Sequence, residues 1–125
     1  MGRSMGIGVK GLEGPNPCVQ EYFELDYFFA RKYLMTRSSV GFVVFPGGFG
    51  TLDELAEILT LLQTKKMKKI PVILVGVEYW SPFMEWVKDE ALQHGMLKQE
   101  HVELIELTDD LDRALSLLCQ HCNEV

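Results

Sequence analysis

The sequence predicts an α/β domain, a Rossmann-like parallel sheet with helices on both faces. Two observations carry this reading. Apolar runs of strand length, Val40–Phe45, Ile70–Gly76 and Val102–Leu107, alternate with segments of helical periodicity. The first two are continuous rather than alternating, as strands buried on both faces are. The 125 residues fit one domain spanning 1–125, long enough to bury a core.

Element by element, Met5–Gly11 (MGIGVKG) reads as a short strand. Leu12–Gln20, with two prolines and several turn formers, reads as loop. Glu21–Phe29 begins with alternation and passes into a helical pattern through Phe28, Tyr33 and Leu34. Val40–Phe45 is a buried parallel strand. Thr51–Thr64 is a helix, because Leu52, Leu55, Ile58, Leu59 and Leu62 fall on one face. Lys65–Lys69 (KKMKK) is a charged connector, and Ile70–Gly76 a second buried strand. Ser81-Pro82 resembles an N-cap followed by proline at the first helical position. That helix should run to about His94 and stop at Gly95. Val102–Leu107 is a third strand, and a closing helix from Asp109 to about His121 is capped by its aspartates. Such domains normally open with a strand and its own glycine-rich turn. This chain begins with something more like a middle strand, so it is expected to be a truncated version of a larger domain, with a partner chain covering what the missing part would cover.

Composition narrows the function. The chain is 47% hydrophobic and 24% charged, ordinary for a globular protein. Its net charge of −6 argues against a nucleic-acid binder, which needs a basic surface. No run of apolar residues is long enough for a membrane span. The N-terminus lacks the apolar core of a signal peptide, so the expected compartment is the cytoplasm. Cys18, Cys119 and Cys122 are an odd number and make no disulfide framework. Cys119 and Cys122 have CxxC spacing, but no second ligand pair accompanies them, and they read as thiols on a last helical turn.

The chemistry concentrates in Phe45–Glu54, FPGGFGTLDE. Ligands of open parallel sheets bind beyond the carboxyl ends of the strands, and Phe45 is such an end. Gly47, Gly48 and Gly50 leave backbone N–H groups unobstructed directly before a helix N-terminus, a seat for an anion. The pattern is neither GxGxxG nor a triphosphate-binding P-loop, so a monophosphate fits best. The alternative is a tight turn that needs glycine only for its dihedrals. Thr51-Leu-Asp-Glu54 has the form of a capping box, which alone would explain Glu54. Yet Glu54 lies about 100° from Leu55 and about 60° from Glu57, at the margin of the apolar stripe. A carboxylate there beside an anion is electrostatically costly unless it serves the chemistry, as a general base would. Asp53 points elsewhere. Arg31 and Lys32, among aromatics in FFARKYLM, are further candidates, Arg31 for bidentate contact with phosphate or carboxylate, against the alternative of a solvated face.

These residues together resemble the PGGxGTxxE signature, with its upstream RK pair, of the LONELY GUY family, the cytokinin riboside 5′-monophosphate phosphoribohydrolases long labelled "possible lysine decarboxylase". Pro46, Gly47, Gly48, Gly50, Thr51 and Glu54 match every fixed position, and the likeness extends from about Pro15 to Trp86. The resemblance implies a Rossmann-like fold, a homodimer or higher homo-oligomer, and hydrolysis of the N-glycosidic bond of a nucleoside 5′-monophosphate, AMP or a cytokinin riboside monophosphate. It implies that Gly47, Gly48, Gly50 and Thr51 hold the 5′-phosphate, that Arg31 and Glu54 are the catalytic pair, and that Lys32 and Glu57 lie nearby. It requires neither metal nor organic cofactor. A decarboxylase would need an electron sink such as pyridoxal phosphate on a lysine. The lysines here cluster in the connector, Lys65, Lys66, Lys68 and Lys69. The alternative function is a non-catalytic nucleotide or cofactor carrier, as in the similar molybdenum-cofactor carrier proteins.

Overall fold

A computed structural model describes residues 2–12 and 14–124. Their contacts group the chain into two compact units, Met1–Ser39 and Val40–Val125. Both are built of parallel strands with helices, the α/β class that the sequence predicts.

In the first unit, β1 (Met5–Val9) pairs in parallel with β2 (Glu21–Leu25), Gly6 opposite Tyr22 and Val9 opposite Leu25. β1 stops two residues before the expected end because Leu12 N–H donates back to the Val9 carbonyl, closing a turn in which Gly11 has φ +84°. In the loop, Asn16 Oδ1 accepts from Cys18 N–H at 2.8 Å, an Asx turn. Helix α1 (Phe28–Arg37) follows β2.

In the second unit, β3 (Phe42–Val44), β4 (Val72–Val75) and β5 (Ile105–Thr108) form a parallel sheet in the order β3-β4-β5. Here the reading of Val40–Phe45 as buried on both faces needs correction. β3 lies at one side of the sheet and Val43 is exposed, whereas β4 is central and buried at all four positions. Its alternation divides the core. Val72 and Leu74 pack with Leu55, Ile58 and Leu62 of α2 (Phe49–Gln63) and with Trp80 and Met84 of α3 (Val77–Trp86). Ile73 and Val75 face the other way, onto Ala114 with Leu117 and Leu118 of α5 (Leu111–Glu124). Helices therefore cover both faces of this sheet.

The start of α3 also differs from expectation. The helix begins at Val77, and Pro82 lies inside it rather than at its first position. Gly76, at φ +109°, turns the chain out of β4, and the Asp109 carboxylate accepts from Val77 N–H at 2.8 Å. A side chain from beyond β5 thus satisfies the helix start, where Ser81 is bonded to the Val77 carbonyl instead. The next six residues, Val87–Leu92, are π-helical, burying Val87 and Ala91, and the helix is closed by a turn at Gly95 with φ +75°, where the Gly95 and Met96 N–H groups donate to the Leu92 and Ala91 carbonyls, the stop that the sequence predicts. A short helix α4 (Gln99–Val102) occupies the beginning of the third expected strand, so β5 starts at Ile105. Asp110 Oδ1 accepts from Asp112 and Arg113 N–H groups at 2.9 and 3.2 Å, capping α5 as the sequence suggests.

Candidate active site

The glycine loop, Phe45 to Gly48, leads from β3 into α2. The capping-box expectation is corrected here. α2 starts at Phe49 with Gly48 as its N-cap, and the first helical bond runs from Leu52 N–H to the Gly48 carbonyl. Thr51 is therefore the third helical residue, and no side chain caps the helix. No acid occupies the first turn either. The end of α2 thus presents its N–H groups without an intrahelical or side-chain acceptor, beside the positive pole of the helix dipole.

The three glycines have different reasons to be glycine. A Cβ on Gly47 would stand 2.1 Å from Thr51 Oγ1, so this residue is required by the close approach of the threonine. The Gly47 carbonyl accepts from the Tyr79 hydroxyl, and Pro46 packs against Gly76, where a Cβ would meet its ring at 3.1 Å. The loop is thereby tied to the start of α3. A Cβ on Gly48 or Gly50, by contrast, would have no neighbour within 4 Å among the described residues. Neither adopts a positive φ. Inside the unit, crowding calls for glycine at neither of these positions.

Helical geometry places the acids. Gly50, Glu54 and Glu57 follow at i, i+4 and i+7, one stripe along α2 leading away from its N-terminus. Glu54 and Glu57 are both half-buried, beside the face that carries Leu55 and Ile58 into the core, while Asp53 is exposed. Gly47, Gly48, Gly50, Thr51, Glu54 and Glu57 are thus gathered on one loop and one helix.

Arg31 and Lys32 belong to α1 in the first unit. Both are half-buried, so the solvated-face alternative does not describe them. As consecutive helical residues they diverge by about 100°. Arg31 Nε donates to the Ile7 carbonyl of β1 at 3.2 Å. The same side chain lines a cavity of about 450 Å³ with Tyr22, Asn16 and the glycines of β1. Sequence reasoning missed Tyr22, Tyr79, Gly76 and Asp109. Their roles depend on strand register and long-range contacts that no local motif announces. Cys18, Cys119 and Cys122 are exposed, and the described residues contain no cluster of metal-ligating side chains. No helix among them is long and apolar enough to cross a membrane.

A profile of the family described as "Possible lysine decarboxylase" matches residues 1–118. The cytokinin riboside 5′-monophosphate phosphoribohydrolase LOG of Oryza sativa subsp. japonica is 37% identical over 76 residues, 60% of this chain and 31% of its own length. A probable cytokinin riboside 5′-monophosphate phosphoribohydrolase of the same species is 33% identical over 100 residues, 80% of this chain and 44% of its own. A cytokinin riboside 5′-monophosphate phosphoribohydrolase of Arabidopsis thaliana is 36% identical over 76 residues, 60% of this chain and 34% of its own. The chain spans less than half the length of these relatives. It belongs to the LONELY GUY, or possible lysine decarboxylase, family.

Proposed function

We propose that this member of the family is a nucleoside 5′-monophosphate N-glycosidase, which releases a free base and ribose 5-phosphate. The observation that carries the reading is the open space over Gly48 and Gly50. Two glycines that no neighbour in the fold crowds, at an uncapped helix N-terminus, are explained if an outside anion approaches the backbone. A 5′-phosphate supplies that anion, held by Gly47, Gly48, Gly50 and Thr51. The names of the relatives agree with a nucleoside monophosphate substrate.

The chemistry follows from the carboxylate one turn along α2. As the bond from C1′ to the base nitrogen breaks, positive charge develops on the ribose ring, and the anionic Glu54 stabilises it. Glu54 takes a proton from the attacking water, whose oxygen joins C1′. The bonding electron pair leaves with the base, and Arg31, always protonated, stabilises that charge until the base nitrogen takes up a proton from solvent, while Glu54 returns to solvent the proton it took from the water. Lys32 and Glu57 are assigned to substrate binding in this reading. The phosphate, remote from the broken bond, supplies the binding energy that positions the sugar. No cofactor takes part in these steps.

The protein works in the cytoplasm as a homodimer or higher homo-oligomer. The exposed aromatic residues of the first unit, Tyr27, Phe28, Phe29 and Tyr33, suit an interface between copies. The second reading is a nucleotide or cofactor carrier that uses the same loop without chemistry. Incubation with AMP separates the two. The hydrolase releases adenine and ribose 5-phosphate, and Arg31→Ala abolishes the release. A carrier binds AMP and returns it intact.

A further inference from the structure

A tyrosine outside the signature holds the glycine loop by its backbone. Tyr79, the third residue of α3, donates its hydroxyl hydrogen to the Gly47 carbonyl. Its ring is fixed by an edge-to-face contact with the buried Trp80, the centroids 5.1 Å apart. The start of α3 is itself anchored, since Gly76 N–H donates to the Thr108 carbonyl at 3.2 Å and Val77 N–H to Asp109 at 2.8 Å. The position of the hydroxyl is therefore set by the sheet and α3, not by the loop.

The Gly47 carbonyl lies outside the helical ladder, which begins with the Gly48 carbonyl. The peptide joining Gly47 to Gly48 is trans and planar, so its N–H points opposite to its C=O. Between two glycines such a peptide turns over easily, because neither flanking residue has a Cβ to restrict it. A carbonyl anchored on Tyr79 removes that freedom and directs the Gly48 N–H away from the Tyr79 hydroxyl. The same bond polarises the peptide and makes its N–H a stronger donor. We propose that Tyr79 is a positioning residue of the phosphate seat, fixing the Gly48 N–H in the orientation that donates to the anion. The inference rests on the phosphate seat of the hydrolase reading and not on its hydrolytic step. Tyr79 acts through the peptide and needs no contact with the ligand.

The test is isothermal titration of the full chain and of Tyr79→Phe with ribose 5-phosphate, together with NMR relaxation of the Gly48 amide in both ligand-free proteins. Tyr79→Phe keeps the ring on Trp80 and removes only the hydroxyl. Ribose 5-phosphate should bind about twofold more weakly if the two peptide orientations are then equally populated, and up to about tenfold more weakly if the turned-over one is favoured. The Gly48 amide should be ordered in the parent, and in the variant should show a lower order parameter or exchange broadening. Equal affinity in the two proteins overturns the proposal. So does a weakened variant whose Gly48 amide is as ordered as the parent's, because the hydroxyl would then act by some route other than orientation. A parent that binds no ribose 5-phosphate overturns both this proposal and the seat on which the hydrolase reading depends. If the parent binds it but leaves AMP whole, while Tyr79→Phe gives both expected results, the positioning role stands and the hydrolase reading falls.

Discussion

Gly50→Ala separates stability from ligand binding. Gly50 is the second residue of α2, its φ is not positive, and a Cβ there meets nothing within 4 Å among the described residues. Alanine should therefore fit without strain and reduce the freedom of the unfolded chain, stabilising by about 0.5–1 kcal/mol. For a domain of about 100 residues that is a rise of roughly 2–8 °C in melting temperature. If an anion seats on the helix N-terminus, however, the new methyl group stands where the anion approaches the backbone. Losing one hydrogen bond to a charged group costs about 1.5–3 kcal/mol, or roughly 10- to 100-fold in affinity. Calorimetric melting and titration with ribose 5-phosphate read both quantities on one preparation. A more stable variant with weakened ligand is the predicted pair. A variant that binds ribose 5-phosphate as tightly as the parent would refute the reasoning, because nothing would then approach Gly50.

Other perturbations test how the loop and its supports are held. Asp109→Ala removes the acceptor for Val77 N–H and should destabilise by about 1 kcal/mol, as loss of a helix cap does, which urea unfolding would measure. Gly76→Ala forces a Cβ into a left-handed backbone at φ +109° and against Pro46. It should cost about 1–2 kcal/mol by the same measurement, and it should weaken ribose 5-phosphate as well by disturbing the loop.

Much of this architecture could be read from the chain. The stripe through Leu55, Ile58 and Leu62 announced α2, and the apolar run Val72–Val75 is the buried centre of the sheet. Gly95 and Asp110 act at the helix ends where their types suggest. Local signals failed where distant residues decide. Ser81-Pro82 has the form of a helix start, but burial of Trp80 and the Asp109 carboxylate, far along the sequence, begin α3 at Val77. Thr51 and Glu54 have the spacing of a capping box, but Thr51 lies against Gly47 one turn inside the helix. The signature residues from Pro46 to Glu54 were legible because they are contiguous. Tyr79 was not, since its meaning depends on the Gly47 carbonyl, far from it along the sequence.

The central claim is that Glu54 does chemistry rather than only completing a helix turn. The most direct measurement compares the parent chain and Glu54→Gln with AMP as substrate, following adenine and ribose 5-phosphate by chromatography and ribose 5-phosphate binding by titration. Glutamine has nearly the same shape, so the fold and the phosphate seat should survive. The hydrolase reading predicts that release falls by about a thousandfold or more, a loss of roughly 4 kcal/mol in transition-state stabilisation, with ribose 5-phosphate still bound. Release that continues at the parent's rate in Glu54→Gln, or a parent that binds AMP and leaves it whole, would contradict it.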